Sequence, residues 1–218
     1  MTKFTDAVGF SKLDTYRGCP QKFYYQFIKK IPQPGSPAME RGSKIHEGIE
    51  AYMNGWAKEP PEEAKTWKEA FDALKQVDFK AEAAWGFDKN WNKLPDWFGK
   101  DCYLRAKSDG HYLKDGNLVV IDWKTGKYRI PSTEQVELYA VCGGAVYPEA
   151  LTTTVEMWFI DANETYTKTY TREELLKLRK KYESAFAPMY NDELWTPTPG
   201  QECRWCSYSK TKGGECKF

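Results

Sequence analysis

"VVIDWKTGK", residues 119–127, decides how this chain is read. An apolar run leads into Asp122, and Lys124 follows two positions later. On an extended strand residues i and i+2 project to the same face, so the acid and the amine should emerge side by side where a buried segment ends. A carboxylate at the edge of a core is costly unless something compensates it. The bland alternative is a solvated strand end with an incidental ion pair, and D-x-K alone does not choose between the two.

The segments on either side sharpen the choice. "CYLRAKSDGHYL" and "LVVIDW" are β-rich runs joined through "KDGN", and Asp115-Gly116 is a hairpin signal. Antiparallel pairing across that turn would bring Asp109, near the end of one strand, to the edge beside Asp122. Two acids held together repel, and a site rich in carboxylate oxygen suits Mg²⁺ or Mn²⁺. Lys124 would then be placed to orient a water or to stabilise charge on a phosphate.

Further upstream, "KAEAAWGFDKNW" reads as extended, which marks the change from helices to sheet, and Glu82 lies in it. "RGSKIHEGIEAYM" spaces Ile45, Ile49, Tyr52 and Met53 as an amphipathic helix with His46 beside the apolar stripe. A helix is expected over 62–77, a loop over 32–39, and a helical stretch after Ser11 as N-cap, broken at Cys19-Pro20. Downstream, "TEQVELYAVCGGAVY" predicts a helix with Gln135 and Tyr139 on one face, since they are four apart. "TTTVEMWFID" and "ETYTKTYT" predict a second strand pair, and Thr171 with Glu174 forms a capping box for a long helix.

At 218 residues the chain suits one α/β domain with terminal additions. We expect a helical part over 1–80, a catalytic sheet and helix over 81–170, and a helix with a cysteine tail over 171–218. Lys and Arg (32) balance Asp and Glu (31), so no global basic field announces a polyanion partner and any nucleic-acid site must be built from local groups. "MTKFTDAVGF" has no apolar signal-peptide core, and no run reaches the length of a membrane span, so a cytoplasmic protein without a membrane partner is expected. In that reducing setting the six cysteines read as thiols or metal ligands.

Taken in order, the helix with His46, the acid Glu82, Asp109, Asp122-x-Lys124 and the helix with Gln135 and Tyr139 resemble the PD-(D/E)xK nuclease superfamily, specifically its RecB-like branch. The resemblance runs from about Ser11 to Cys216. It implies a restriction-endonuclease-like α/β core, a central mixed sheet flanked by helices. His46, Asp109, Asp122 and the Trp123 backbone carbonyl are then expected to hold Mg²⁺ or Mn²⁺, with Glu82 less securely in the set. Lys124 is expected as the catalytic lysine that orients a water or stabilises charge on the phosphate, and Gln135 and Tyr139 to line the active site or touch the substrate strand. His111 matches no family position and reads as a surface strand residue.

Cys203-x₂-Cys206, Cys216 and the early Cys19 resemble the iron–sulfur arrangement of one RecB-like subgroup, which includes CRISPR-associated adaptation nucleases. That resemblance implies a [4Fe–4S] cluster clasping the chain ends, and the same thiolates would also suit Zn²⁺. The gap between Cys206 and Cys216 is longer than usual, so Cys216 is the weakest member. Cys102 and Cys142 read as small buried apolar residues. "KFYYQFIKK" and "CRWCSYSKTKGGECK" interleave bases with aromatics, a pattern for phosphate and unpaired bases.

The reading implied is a metal-dependent DNA nuclease, an exonuclease on single-stranded ends in recombination, repair or end processing, working with proteins of those pathways. A compact chain of this kind also suits a bacteriophage. The rival from another class is a non-catalytic nucleic-acid- or partner-binding module that keeps the fold and the clasp.

Overall fold

The computed structural model describes residues 3–218. In chain order these form α1 (Phe10–Gly18), α2 (Pro20–Phe23), a π-helical turn at Tyr24–Ile28, α3 (Pro37–Met53), a 3₁₀ segment Glu62–Trp67 that runs into α4 (Lys68–Leu74), β1 (Lys80–Phe87) and β2 (Lys93–Leu94). They continue through β3 (Leu104–Lys114), β4 (Asn117–Lys124), α5 (Thr133–Val146), β5 (Thr152–Phe159), β6 (Glu164–Thr171) and α6 (Arg172–Asn191). Two compact units result: Ser36–Lys180, and Met1–Gly35 together with Lys181–Phe218. Among the described residues no helix is long and apolar enough to cross a membrane.

The first unit is built on a six-stranded sheet in the order β2-β1-β3-β4-β5-β6. Only β4 and β5 run parallel, and α5 makes the crossover between them. Asp115 and Gly116 both adopt positive φ (51° and 77°) in the turn that pairs β3 with β4. Asp and Gly bear that backbone better than most residues, which is why the dipeptide is a hairpin signal.

Strand β4 is covered on both faces, and the alternation of its side chains assigns each residue a side. Val119, Ile121 and Trp123 join Ile45, Ile49 and Tyr52 of α3, with Trp67, Phe71 and Leu74, in one core. Leu118 and Val120 point the other way, to α5. A Cβ on Gly143 would lie 2.8 Å from Leu118 Cδ2 and 3.0 Å from Val120 Cγ2, so a glycine is what lets helix and strand approach so closely. Asp122 shares the parity of Leu118 and Val120, and therefore faces α5.

Local signals hold with shifts at their ends. Ser36 caps α3, its hydroxyl accepting the Met39 N–H at 3.2 Å, and Pro37 occupies the first turn, so the helix begins inside the segment expected as loop. Helix α1 starts at Phe10 with Gly9, rather than Ser11, at its N-cap. Cys19 is extended and separates α1 from α2, as the Cys-Pro pair predicts. The expected helix over 62–77 opens as 3₁₀ before α4. The capping box forms: Thr171 N–H donates to Glu174 Oε2 at 2.7 Å, and Glu174 N–H to Thr171 Oγ1 at 3.3 Å.

The second unit brings the two chain ends together around aromatic rings. Phe23 is fully buried and stacks on Trp195, with centroids 5.6 Å apart, and meets Phe4 edge-on at 5.0 Å. Tyr208 OH donates to the Ile31 carbonyl at 3.0 Å, Tyr25 OH to the Glu215 carbonyl at 3.3 Å, and Lys29 pairs with Glu215 at 2.7 Å.

Candidate active site

The β3–β4 register ends at Gly110 opposite Ile121, and the next step out places Asp109 across from Asp122. The strands part there, and Asp109 fills the gap with its side chain: Oδ2 accepts the Trp123 N–H at 2.5 Å. Its Oδ1 lies 3.0 Å from His46 Nδ1, so α3 delivers the imidazole to the strand end. Asp122 is 6% exposed. Its Oδ1 accepts the Tyr139 hydroxyl of α5 at 2.7 Å, and Lys124 Nζ lies 2.6 Å from Oδ2. The Lys124 ammonium is thus the partner of a carboxylate oxygen that is otherwise buried without a donor.

The charges follow from this packing. Burial raises the Asp122 carboxyl above its ordinary value and the charge of Asp109 adds to the rise, while Lys124 and Tyr139 oppose it. The hydrogen bond to Asp109 raises the His46 imidazole and outweighs the opposing effect of burial. Burial, then the charge of Asp122, lifts the Tyr139 phenol well above its usual range, so it stays a donor. Gln135, one turn earlier on α5, hydrogen-bonds to Tyr139.

Glu82 enters from β1 with φ of +53°, a left-handed conformation in mid-strand. It pairs with Lys107 of β3, and both line a cleft of about 380 Å³ with His46, Asp109, Glu47 and Glu50. The structure thus brings His46, Asp109, Asp122, Lys124, Gln135 and Tyr139 to one strand end, with Glu82 on the cleft wall and Trp123 between the two acids.

Comparison with known proteins gives the family. The chain fits the model of the PD-(D/E)XK nuclease superfamily over residues 7–101 and 86–211. It belongs to that superfamily. Two solved structures share the fold. The crystal structure of SSO0001 superposes with a TM-score of 0.54 at 16% identity, covering 100% of this chain and 88% of that one. A candidate exonuclease from Eubacterium rectale superposes with a TM-score of 0.51 at 13% identity, covering 93% and 87%. No curated protein matches.

PD-(D/E)XK nucleases generally use Mg²⁺ or Mn²⁺, and the donor set here suits such an ion: two buried carboxylates and an imidazole, with one Asp122 oxygen held only by the Lys124 ammonium. As they stand, no three His, Cys, Asp or Glu side chains among the described residues are spaced around a metal position. In the active site Lys124 pairs with Asp122 and His46 with Asp109, and the four cysteines of the other unit are likewise not grouped around a metal position.

Sequence reasoning missed several residues near this site and elsewhere in the same unit. Glu50 lies one helical turn after His46, a spacing that could have flagged it. Lys107 is two residues before Asp109 on the same strand. Arg41 and Asp161 are 120 positions apart and meet in a bidentate pair at 2.8 and 2.6 Å, with Gly126 N–H donating to Asp161 Oδ2 at 2.5 Å; nothing local signals this. His111, expected at the surface, is 4% exposed. Its Nε2 lies 2.6 Å from Tyr147 OH, its ring meets Trp85, and burial drops its pKa to about 4.

In the other unit Cys19, Cys203, Cys206 and Cys216 are free thiols that line one cavity of about 460 Å³. Thr198 N–H approaches Cys19 Sγ at 3.5 Å, and Cys216 Sγ lies 3.8 Å from Gln21 Oε1. Cys102 and Cys142 are buried elsewhere, as expected of small apolar residues.

Proposed function

We propose that the chain is a divalent-cation-dependent deoxyribonuclease of the RecB-like branch, an exonuclease acting on single-stranded ends. The observation that carries this reading is the meeting of Asp109, Asp122, Lys124 and His46 where β3 and β4 part. Asp109, Asp122, His46 and the Trp123 carbonyl would hold Mg²⁺ or Mn²⁺, with Glu82 reaching in from the cleft wall. The ion, when bound, polarises the scissile phosphate and lowers the pKa of an attacking water. Lys124 exchanges Asp122 for the phosphate, and its ammonium meets the charge that grows there. Tyr139 keeps Asp122 oriented by its short hydrogen bond, and Gln135 steadies Tyr139.

For the other unit, the proposal is a [4Fe–4S] cluster, with Zn²⁺ as the alternative occupant. Its support is that the four thiols line one cavity, and an all-sulfur donor set suits either metal.

The test is cleavage of end-labelled single-stranded, double-stranded and covalently closed DNA with Mg²⁺ or Mn²⁺. Linear single strands should be degraded from their ends and closed circles spared, with activity lost in EDTA and in Asp109→Ala, Asp122→Ala and Lys124→Ala. Undiminished cleavage by Asp122→Ala would refute the site, and cleavage of closed circles would refute the exonuclease.

A further inference from the structure

Strand β3 carries more than Asp109 out of the active site. Between Leu104 and Ser108 the even positions are buried, while Lys107 is exposed and Arg105 half-buried, so Arg105, Lys107 and Asp109 share one side. Lys107 lines the same cleft as Asp109. Across the β1–β3 ladder their partners are Ala84 and Gly86, the smallest side chains available, which leave this strip without a ridge.

The strip ends at a built wall. The backbone of Trp97 closes over Gly86: a Cβ there would lie 3.0 Å from Trp97 Cα and 3.2 Å from Cys102 Sγ, a contact so tight that a side chain would push the two apart. Arg105 Nε donates to the Trp97 carbonyl at 2.8 Å, and its guanidinium lies 5.9 Å from the Trp97 ring and 5.4 Å from the Phe98 ring. Asp96 Oδ1 accepts the Phe98 N–H at 2.8 Å and fixes a turn that holds Phe98 out to solvent, 76% exposed. A phenyl ring presented in this way gains nothing for the core.

We propose that Phe98, Trp97 and Arg105 form a base-stacking ledge for the substrate strand, a single-stranded DNA segment that runs from the phosphate at Asp109 and Asp122 along Lys107 and Arg105. This rests on the nuclease reading above. Residues i and i+2 of a strand are about 6.7 Å apart, comparable to the spacing of successive phosphates in an extended single strand. With a phosphate taking the place of Glu82 on Lys107, two cationic side chains at that interval, followed by exposed rings, are the chemistry that grips a backbone while stacking unpaired bases. Base-paired DNA does not offer its ring faces to such a ledge, so the arrangement selects for a frayed or single-stranded end.

The test uses full-length protein in EDTA, with 2-aminopurine placed at successive positions of a single-stranded oligonucleotide, and fluorescence anisotropy for affinity. Wild type should quench 2-aminopurine at one or two adjacent positions only. Phe98→Ala should abolish that quench and weaken single-strand binding about tenfold, within the range expected for one stacked base. Phe98→Tyr should restore both, and because Phe98 is exposed the thermal midpoint should be unchanged throughout. Wild-type quenching and affinity in Phe98→Ala, alongside Mg²⁺-dependent cleavage by wild type, overturn the ledge and leave the nuclease reading standing. Failure of wild type to cleave any DNA with Mg²⁺ or Mn²⁺ overturns the nuclease reading, and the ledge with it. An equal loss on blunt duplex DNA overturns the assignment to a single strand.

Discussion

Replacing Lys124 by Met should make the protein depend on a divalent cation for stability as well as for activity. In the metal-free chain Asp122 is 6% exposed, faces Asp109, and has Lys124 as its only cationic partner within 2.6 Å. Removing one member of a buried pair strands the other charge, a loss of about 3 to 5 kcal/mol for full burial. The Lys124 side chain is 29% exposed and Tyr139 still donates to Oδ1, so about 2 kcal/mol is the better figure here. For a chain of this length that corresponds to a drop of about 4 to 8 °C in the apparent midpoint. An ion at about 100 times its Kd adds about 2.7 kcal/mol. In Lys124→Met it meets an uncompensated carboxylate, whereas in wild type it must displace an ammonium. Circular dichroism melts in EDTA and in Mn²⁺ therefore should show a lower midpoint for Lys124→Met in EDTA and a larger rise on adding Mn²⁺. Melts that agree within about 1 °C in EDTA, or equal rises for both proteins, would refute the reasoning, because Lys124 would then be neither counter-charge nor competitor.

Asp161 should govern part of the acid limb of stability. The Arg41 pair holds its carboxyl below the ordinary value, so this contribution is complete above the unfolded pKa near 3.8 and is lost as pH falls through the lower folded value. Asp161→Asn should flatten the fall of the thermal midpoint below that pH, and an unchanged slope refutes the pair's role. Gly110→Ala should lose about 2 kcal/mol, since any Cβ there collides with the Phe79 ring, and urea unfolding reads it directly. Anaerobically purified protein should be brown if the cavity holds an iron–sulfur cluster; Cys19→Ser, Cys203→Ser and Cys206→Ser should bleach it, and Cys102→Ser should not. A colourless protein with one zinc would replace the cluster by Zn²⁺.

The hairpin was legible because its decisive residues act locally. Asp115-Gly116 tolerates the positive φ that the turn requires, and alternation on β4 then fixes which side chains share a face. Asp122 and Lys124 follow from that alternation alone, and Asp109 from one register step. The capping box at Thr171 and the stripe of α3 are local in the same sense. Arg41 and Asp161 were illegible because 120 residues separate partners that only the tertiary fold introduces. His111 was misjudged for a related reason. A β-strand residue is exposed or buried according to what covers its face, and the cover is Trp85 and Tyr147, which no spacing in "SDGHYL" announces.

Glu82 shows where local reasoning stops within the site itself. Its strand was correctly placed, yet its side chain enters the cleft because the backbone takes φ of +53° in mid-strand, a conformation an L-residue adopts only when its surroundings over-determine it. The β1–β3 register passes from Ala81 opposite Gly110 to Ala83 opposite Ser108, leaving Glu82 and Asp109 without a ladder pair at the same level where β3 leaves β4. Both ladders of β3 are therefore interrupted at Asp109, and the freed Trp123 N–H is taken by the Asp109 carboxylate. Giving up sheet pairing at this level turns a strand residue into a side chain reachable from α3 and from the cleft. An uninterrupted ladder through Asp109 would pair it with Asp122 and turn the same acid to the face that α5 covers, away from α3 and His46.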